Sequence, residues 1–164
     1  MAKGNSILVT QNYDNESLIE GIIASGETPK PGTIVQKQSA TALQGGRHTV
    51  EIYNADADGA NPKGPYYLLV EDKYQGRTVS DAYAAGERCF MVVPRHGDEY
   101  NLLILNLAGT GDDHTKGEIL IIDDTTGKFI ATAGSPEDEV AQLLETITDP
   151  TADTLAWCVW QGKG

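Results

Sequence analysis

Apolar residues in this chain come in short runs broken by Gly, Pro, Asn and Asp, a spacing that suits strands rather than helices. Nine strands are predicted: near Ile19 to Ala24, Thr33 to Gln38, His48 to Asn54, Tyr66 to Glu71, Arg88 to Val93, Tyr100 to Leu107, Glu118 to Asp123, Lys128 to Ala133 and Leu155 to Gln161. The clearest connection is the hairpin KGEILIIDD-TTG-KFIATAG, whose Gly127 supplies the positive φ that a tight reversal needs. One segment breaks the pattern. Ser135-Pro136-Glu137-Asp138 has the cap residue, first-turn proline and acids of a helix start, and Val140, Leu143, Leu144 and Ile147 follow at helical spacing. The expected fold is therefore all-β: a single-domain β-barrel or sandwich with one short C-terminal helix before the last strand. No internal repeat is visible.

Residues 1–17 are polar apart from Ile7, Leu8, Val9 and Tyr13, and precede the first regular strand. They read as an N-terminal arm ahead of a β-rich domain over 18–164. Such an arm either adds a strand to its own sheet or reaches a neighbour by strand addition, and Ile7, Leu8, Val9 and Tyr13 are its candidate partner-binding residues. Deleting residues 1–12 is expected to leave the domain folded.

At 164 residues the chain fits one domain. Twelve Lys and Arg against 24 Asp and Glu give a net charge of −12, which repels a phosphate backbone and argues against nucleic-acid binding. No run of about 18 apolar residues suggests a membrane span, and the first residues lack the pattern of a secretion signal. Cys89 and Cys158 lie in separate apolar runs, as buried, reduced thiols do.

Candidate chemistry is sparse. Asn54, Asp56, Asp58 and Gly59 fall at the first, third, fifth and sixth positions of a calcium loop, but its twelfth position is Pro65 where a bidentate Glu is required. Gly109 to His114 lacks the third glycine and the Lys-Ser/Thr pair of a phosphate loop. Arg95-His96-Gly97-Asp98 pairs a titratable His with an acid, yet a turn between two strands explains it without a nucleophile. Asp123-Asp124 reads as a solvated turn. No catalytic residue, metal ligand or cofactor site is expected, and the chain is not expected to be an enzyme.

The order of elements carries a further reading. Ala24 to Gly26 near the chain start, Tyr83 to Glu87 before a strand, Lys116 to Leu120 before the last hairpin and Gly127-Lys128 at its turn resemble the layout of the decoration (cement) proteins of tailed-bacteriophage heads. That resemblance implies a non-enzymatic structural protein that binds the major capsid protein on the outer surface of the head, commonly as a homo-oligomer. It implies no residue-level binding motif. The competing reading is a carbohydrate-binding β-sandwich module, with Tyr66, Tyr67, Tyr74, Tyr83, Trp157 or Trp160 as a stacking platform.

Overall fold

The computed structural model describes residues 6–8, 18–38, 46–54, 66–106, 113–123, 125–131, 140–148, 150 and 152–162. All nine predicted strands form, and a tenth joins them: β1 Ile19–Ile23, β2 Ile34–Lys37, β3 His48–Ile52, β4 Tyr67–Val70, β5 Arg88–Val92, β6 Glu99–Ile104, β7 Ile119–Ile122, β8 Phe129–Ala131, β9 Ala141–Leu143 and β10 Thr154–Trp160. They close into two five-stranded barrels within one all-β domain. The first runs β1-β3-β2-β4-β5 and the second β6-β8-β7-β9-β10, each returning to its starting strand.

The expected helix is overturned where it can be seen. Residues 141–143 are strand β9, paired with β7 on one side and β10 on the other, and Ser135 to Asp138 lie outside the described residues. Val140, Leu143 and Ile147 satisfy a helical period, but Ala141 and Leu143 also satisfy a strand period, and both are fully buried. Two barrel neighbours, each lacking a partner without β9, decide between the two.

The second barrel repeats the first. In both, the first and third strands are parallel and every other pair is antiparallel. The registers also agree when the barrels are aligned on their cysteines. Leu69 opposite Met91 corresponds to Ala141 opposite Trp160, and Val35 opposite Ile52 to Ile122 opposite Phe129. Extending Ile23 opposite Val50 by two places puts residue 25 beside 52, where the second barrel has Ile104 beside Phe129. Strand order, direction and shear are thus shared. The repeat is hidden in the sequence because the cores fill differently: the Leu69–Met91 pair of one is the Ala141–Trp160 pair of the other, and Gly21–Cys89 is Tyr100–Cys158.

Two cores result. Ile23, Val35, Val50, Tyr67, Leu69, Tyr83, Cys89 and Met91 fill the first barrel. Their alternating neighbours Ile34, Leu68, Val70, Phe90 and Val92 point the other way, into a larger cluster with the second barrel's Tyr100, Leu102, Leu120, Phe129 and Trp160. β4 and β5 are therefore buried on both faces, which is why YLLV and CFMV read as unbroken apolar runs. Edge-to-face rings continue the seam from Tyr53 to Tyr66 to Trp160 to Phe129, with centroids 5.4, 6.3 and 6.2 Å apart.

Backbone also meets backbone across the seam. Leu103 N donates to Gly32 O at 3.0 Å, and Ile34 N to Gly127 O at 2.8 Å. Both glycines have positive φ, +88° and +63°. A Cβ on Gly127 would lie 2.4 Å from Ile34 O, so the hairpin glycine serves its turn and the barrel contact together. Gly127→Ala is expected to destabilise the protein by about 1–3 kcal/mol from left-handed strain, with the overlap adding to it. Urea denaturation checks this, and a change below about 0.5 kcal/mol would show that the seam does not need close approach.

Candidate functional site

The described part of the N-terminal arm lies in the seam. Ser6 Oγ donates to Glu71 Oε1 at 2.5 Å and Ile7 N to Glu71 Oε2 at 3.1 Å, on the first barrel. On the second, Asn101 N donates to Ile7 O at 2.7 Å, Asn101 Nδ2 donates to Ser6 O at 2.6 Å, and Leu8 bridges antiparallel to Tyr100. The Ile7 side chain is fully buried. Of the two uses open to the arm, residues 6–8 serve the chain's own sheet.

The four residues read as one contact strip therefore separate. Ile7 is a core residue, its side chain buried by the chain itself. Leu8 is half-buried beside a groove, and Val9 and Tyr13 lie outside the described residues. The groove, of about 450 Å³, is lined by Leu8, Leu18, Val70, Tyr74 and Phe90, with Ser6, Glu71 and Lys73 as its polar side. The two exposed large hydrophobic side chains among the described residues, Leu18 (44% exposed) and Tyr74 (82%), both line it.

Local chemistry holds Tyr74 outward. The buried carboxylate of Asp72 caps a 3₁₀ turn at Lys73–Gln75 by accepting from Tyr74 N and Gln75 N at 3.0 and 3.2 Å. Gly76 closes the turn in the left-handed region. Arg88 reaches the other Asp72 oxygen at 3.3 Å and lies over the Phe90 ring, which stands 5.9 Å from Tyr74. Lys73 Nζ sits 3.2 Å from Glu71 Oε1 and 3.1 Å from Ser6 Oγ, so the arm's anchor is also a wall of the groove.

Of the six stacking candidates, Tyr67, Tyr83 and Trp160 are buried, Tyr66 packs in the seam, and Trp157 donates Nε1 to Glu99 at 2.9 Å. Only Tyr74 presents its ring broadly. Its setting was legible, an aromatic in the polar DKYQGR stretch, whereas nothing in the sequence marked Leu18 as exposed.

Two of the other motifs resolve as structure, while residues 109–112 of the glycine-rich stretch and Asp124 lie outside the described residues. Arg95 to Asp98 is a turn joining β5 to β6, with Asp98 N donating to Arg95 O and the exposed His96 ring 3.0 Å from Gln161 O. Asp123 does not point to solvent as expected; its Oδ1 accepts from Thr126 N and Oγ1 at 2.8 and 2.6 Å, fixing the hairpin. Asp56, Asp58 and Gly59 lie outside the described residues, and among those described no three His, Cys, Asp or Glu gather as a metal site. The cysteines occupy equivalent positions in the two barrels, and burial pushes the Cys89 thiol up to about 12 and raises that of Cys158 as well. Among the described residues no helix is long and apolar enough to cross a membrane.

Asp153 ties the ends of β6 and β8 to β10. Partial burial alone would raise its pKa, but bonds from Lys128 Nζ at 2.6 Å and Asn106 N at 3.0 Å outweigh it and hold the carboxyl below its ordinary 3.8. A depressed folded-state pKa contributes stability that is present above about pH 4 and is lost as pH falls through the folded value. Asp153→Asn should therefore lower stability at pH 7 and flatten the acid limb of a melting temperature against pH profile; an unchanged limb would contradict the assignment. Ile7→Ala should cost about 2–5 kcal/mol in denaturant unfolding, the range for emptying a buried aliphatic site. A loss under about 0.5 kcal/mol would mean the arm is a free appendage after all.

No protein-family model and no curated protein sequence matches the chain. A solved structure does. The chain is similar to the one described as the head fiber gp8.5 N base in bacteriophage phi29, with a TM-score of 0.52 and 10% sequence identity over 89% of this chain and 94% of that one. What the two share is the fold, over nearly the whole of both chains.

Proposed function

We propose that this chain is a structural protein of a tailed-bacteriophage virion, a decoration (cement) protein seated on the outer surface of the head. It acts by binding the major capsid protein, as a homo-oligomer, without catalysis, cofactor, nucleic acid or membrane. The observation that carries the reading is the fold likeness to a head-fibre base across 89% of the chain. The net charge of −12 supports it, since a protein on the outside of the shell has no need of packaged DNA. Leu18, Tyr74 and the Phe90 floor are the proposed attachment face, being where exposed apolar surface gathers beside the arm.

A second reading rests on one side chain. Tyr74, 82% exposed beside Ser6 and Lys73, has the form of a ring that stacks on sugars. One experiment separates the two. Purified chain is sedimented with empty heads of its phage, and in parallel applied to a glycan array. Saturable co-sedimentation that Tyr74→Ala or Leu18→Asp weakens at least tenfold is expected, with the melting temperature within about 2 °C of wild type because both side chains are exposed. Absence of co-sedimentation, together with glycan retention abolished by Tyr74→Ala, would replace the capsid reading with the carbohydrate one.

A further inference from the structure

The two barrels share a topology but not a complete set of strand contacts. In the first, β3 pairs with β1 at three positions, Gly21, Ile22 and Ile23. In the second, β8 has three residues and pairs with β6 at one, Ile104. The edge of β6 that faces β8 is consequently covered by three unrelated segments. Leu105 N donates to Phe129 O on β8, Leu103 N to Gly32 O on the first barrel, and Asn101 N to Ile7 O on the arm, at 2.8, 3.0 and 2.7 Å.

We propose that Ser6–Leu8 is a latch: a surrogate strand that completes the β6 edge of the second barrel while gripping Glu71 of the first, so that its seating reinforces the apolar cluster and the Gly32 and Gly127 contacts in coupling the two barrels. Four observations converge on it. The latch touches both barrels through paired hydrogen bonds, two to Glu71 and two from Asn101. Its partners lie 64 to 95 positions away in the chain, so its seating is wholly tertiary. Ile7 fills the cluster that both barrels share. Asn101 is itself 1% exposed, a buried polar side chain between Tyr100 and Leu102 whose Nδ2 donates to the arm's backbone at Ser6 O. A tug on the chain ahead of Ser6 would then load both barrels at once. The inference stands apart from the proposed attachment to a head.

Native-state hydrogen exchange on the full chain tests it. Glu71→Ala removes the grip on the first barrel, and Glu71 is linked to Asn101 by way of Ser6 and Ile7. The Asn101 amide should exchange at least tenfold faster, whereas the Leu143 amide, bonded to Glu118 O inside the second barrel, should accelerate much less. The change in unfolding equilibrium in Glu71→Ala with Asn101→Ala should fall well short of the product of the two single changes, because both loosen the same segment, Asn101→Ala by removing the side-chain bond to Ser6 O while its backbone bond to Ile7 O stays. Where Glu71→Ala does not fold, Glu71→Gln keeps one acceptor oxygen and permits the same comparison. Equal acceleration at Asn101 and Leu143 would show general destabilisation and overturn the proposal. So would an unchanged Asn101 amide, or effects that multiply independently.

Discussion

A buried peptide N–H with no acceptor costs roughly 1–3 kcal/mol, and the edge of β6 presents two, at Asn101 and Leu103, with a half-buried third just past its end at Leu105. Much of the architecture follows from how they are met. β8, cut short by the tight turn at Gly127, reaches the last. The other two are supplied from outside the barrel, by the loop before β2 and by the arm. That requirement brings Gly32 against Leu103 and draws Ile7 into the interior, adding to the apolar cluster that the two barrels share.

The repeat clarifies what each barrel contributes. The first has a longer β3, closes on itself and turns the outer face of β4 and β5 toward its neighbour, which is why those strands are apolar throughout. The second has the bulkier interior, with Tyr100 and Trp160 where the first has Gly21 and Met91. Side chains of different size thus fill the same frame, and Gly21 has Val50, Cys89 and Met91 crowded around its missing Cβ. Local turns are fixed by short-range chemistry: the Asp72 cap, the Asp123 loop and the Tyr83 hydroxyl, which donates to Val70 O at 2.7 Å.

The groove and the latch share a wall at Ser6, Glu71 and Lys73, so the proposed attachment face and the contact between barrels are physically adjacent. An apolar patch on a strongly acidic protein is a natural place for a protein partner, since it can be covered without bringing many like charges together. Binding there would bear directly on residues that hold the arm in place.

What the sequence determined by itself was local. Nine strands were legible because an alternating or continuous apolar run bounded by Gly, Pro and Asp needs only its own residues to be recognised, and Gly127 could be placed because a two-strand reversal demands positive φ. The acidic surface and the inert cysteines followed from composition and context alone. β9 could not be separated from a helix, because Val140 to Ile147 meets both periods and only the open edges of β7 and β10 choose between them. The repeated topology was invisible because equivalent positions carry different residues, as in Leu69–Met91 and Ala141–Trp160 or Gly21 and Tyr100. The fate of the arm was likewise tertiary: an Ile-Leu-Val run will add to any open edge, and the edge it found, on Asn101 and Tyr100, exists only once the second barrel has closed with β8 too short to cover it.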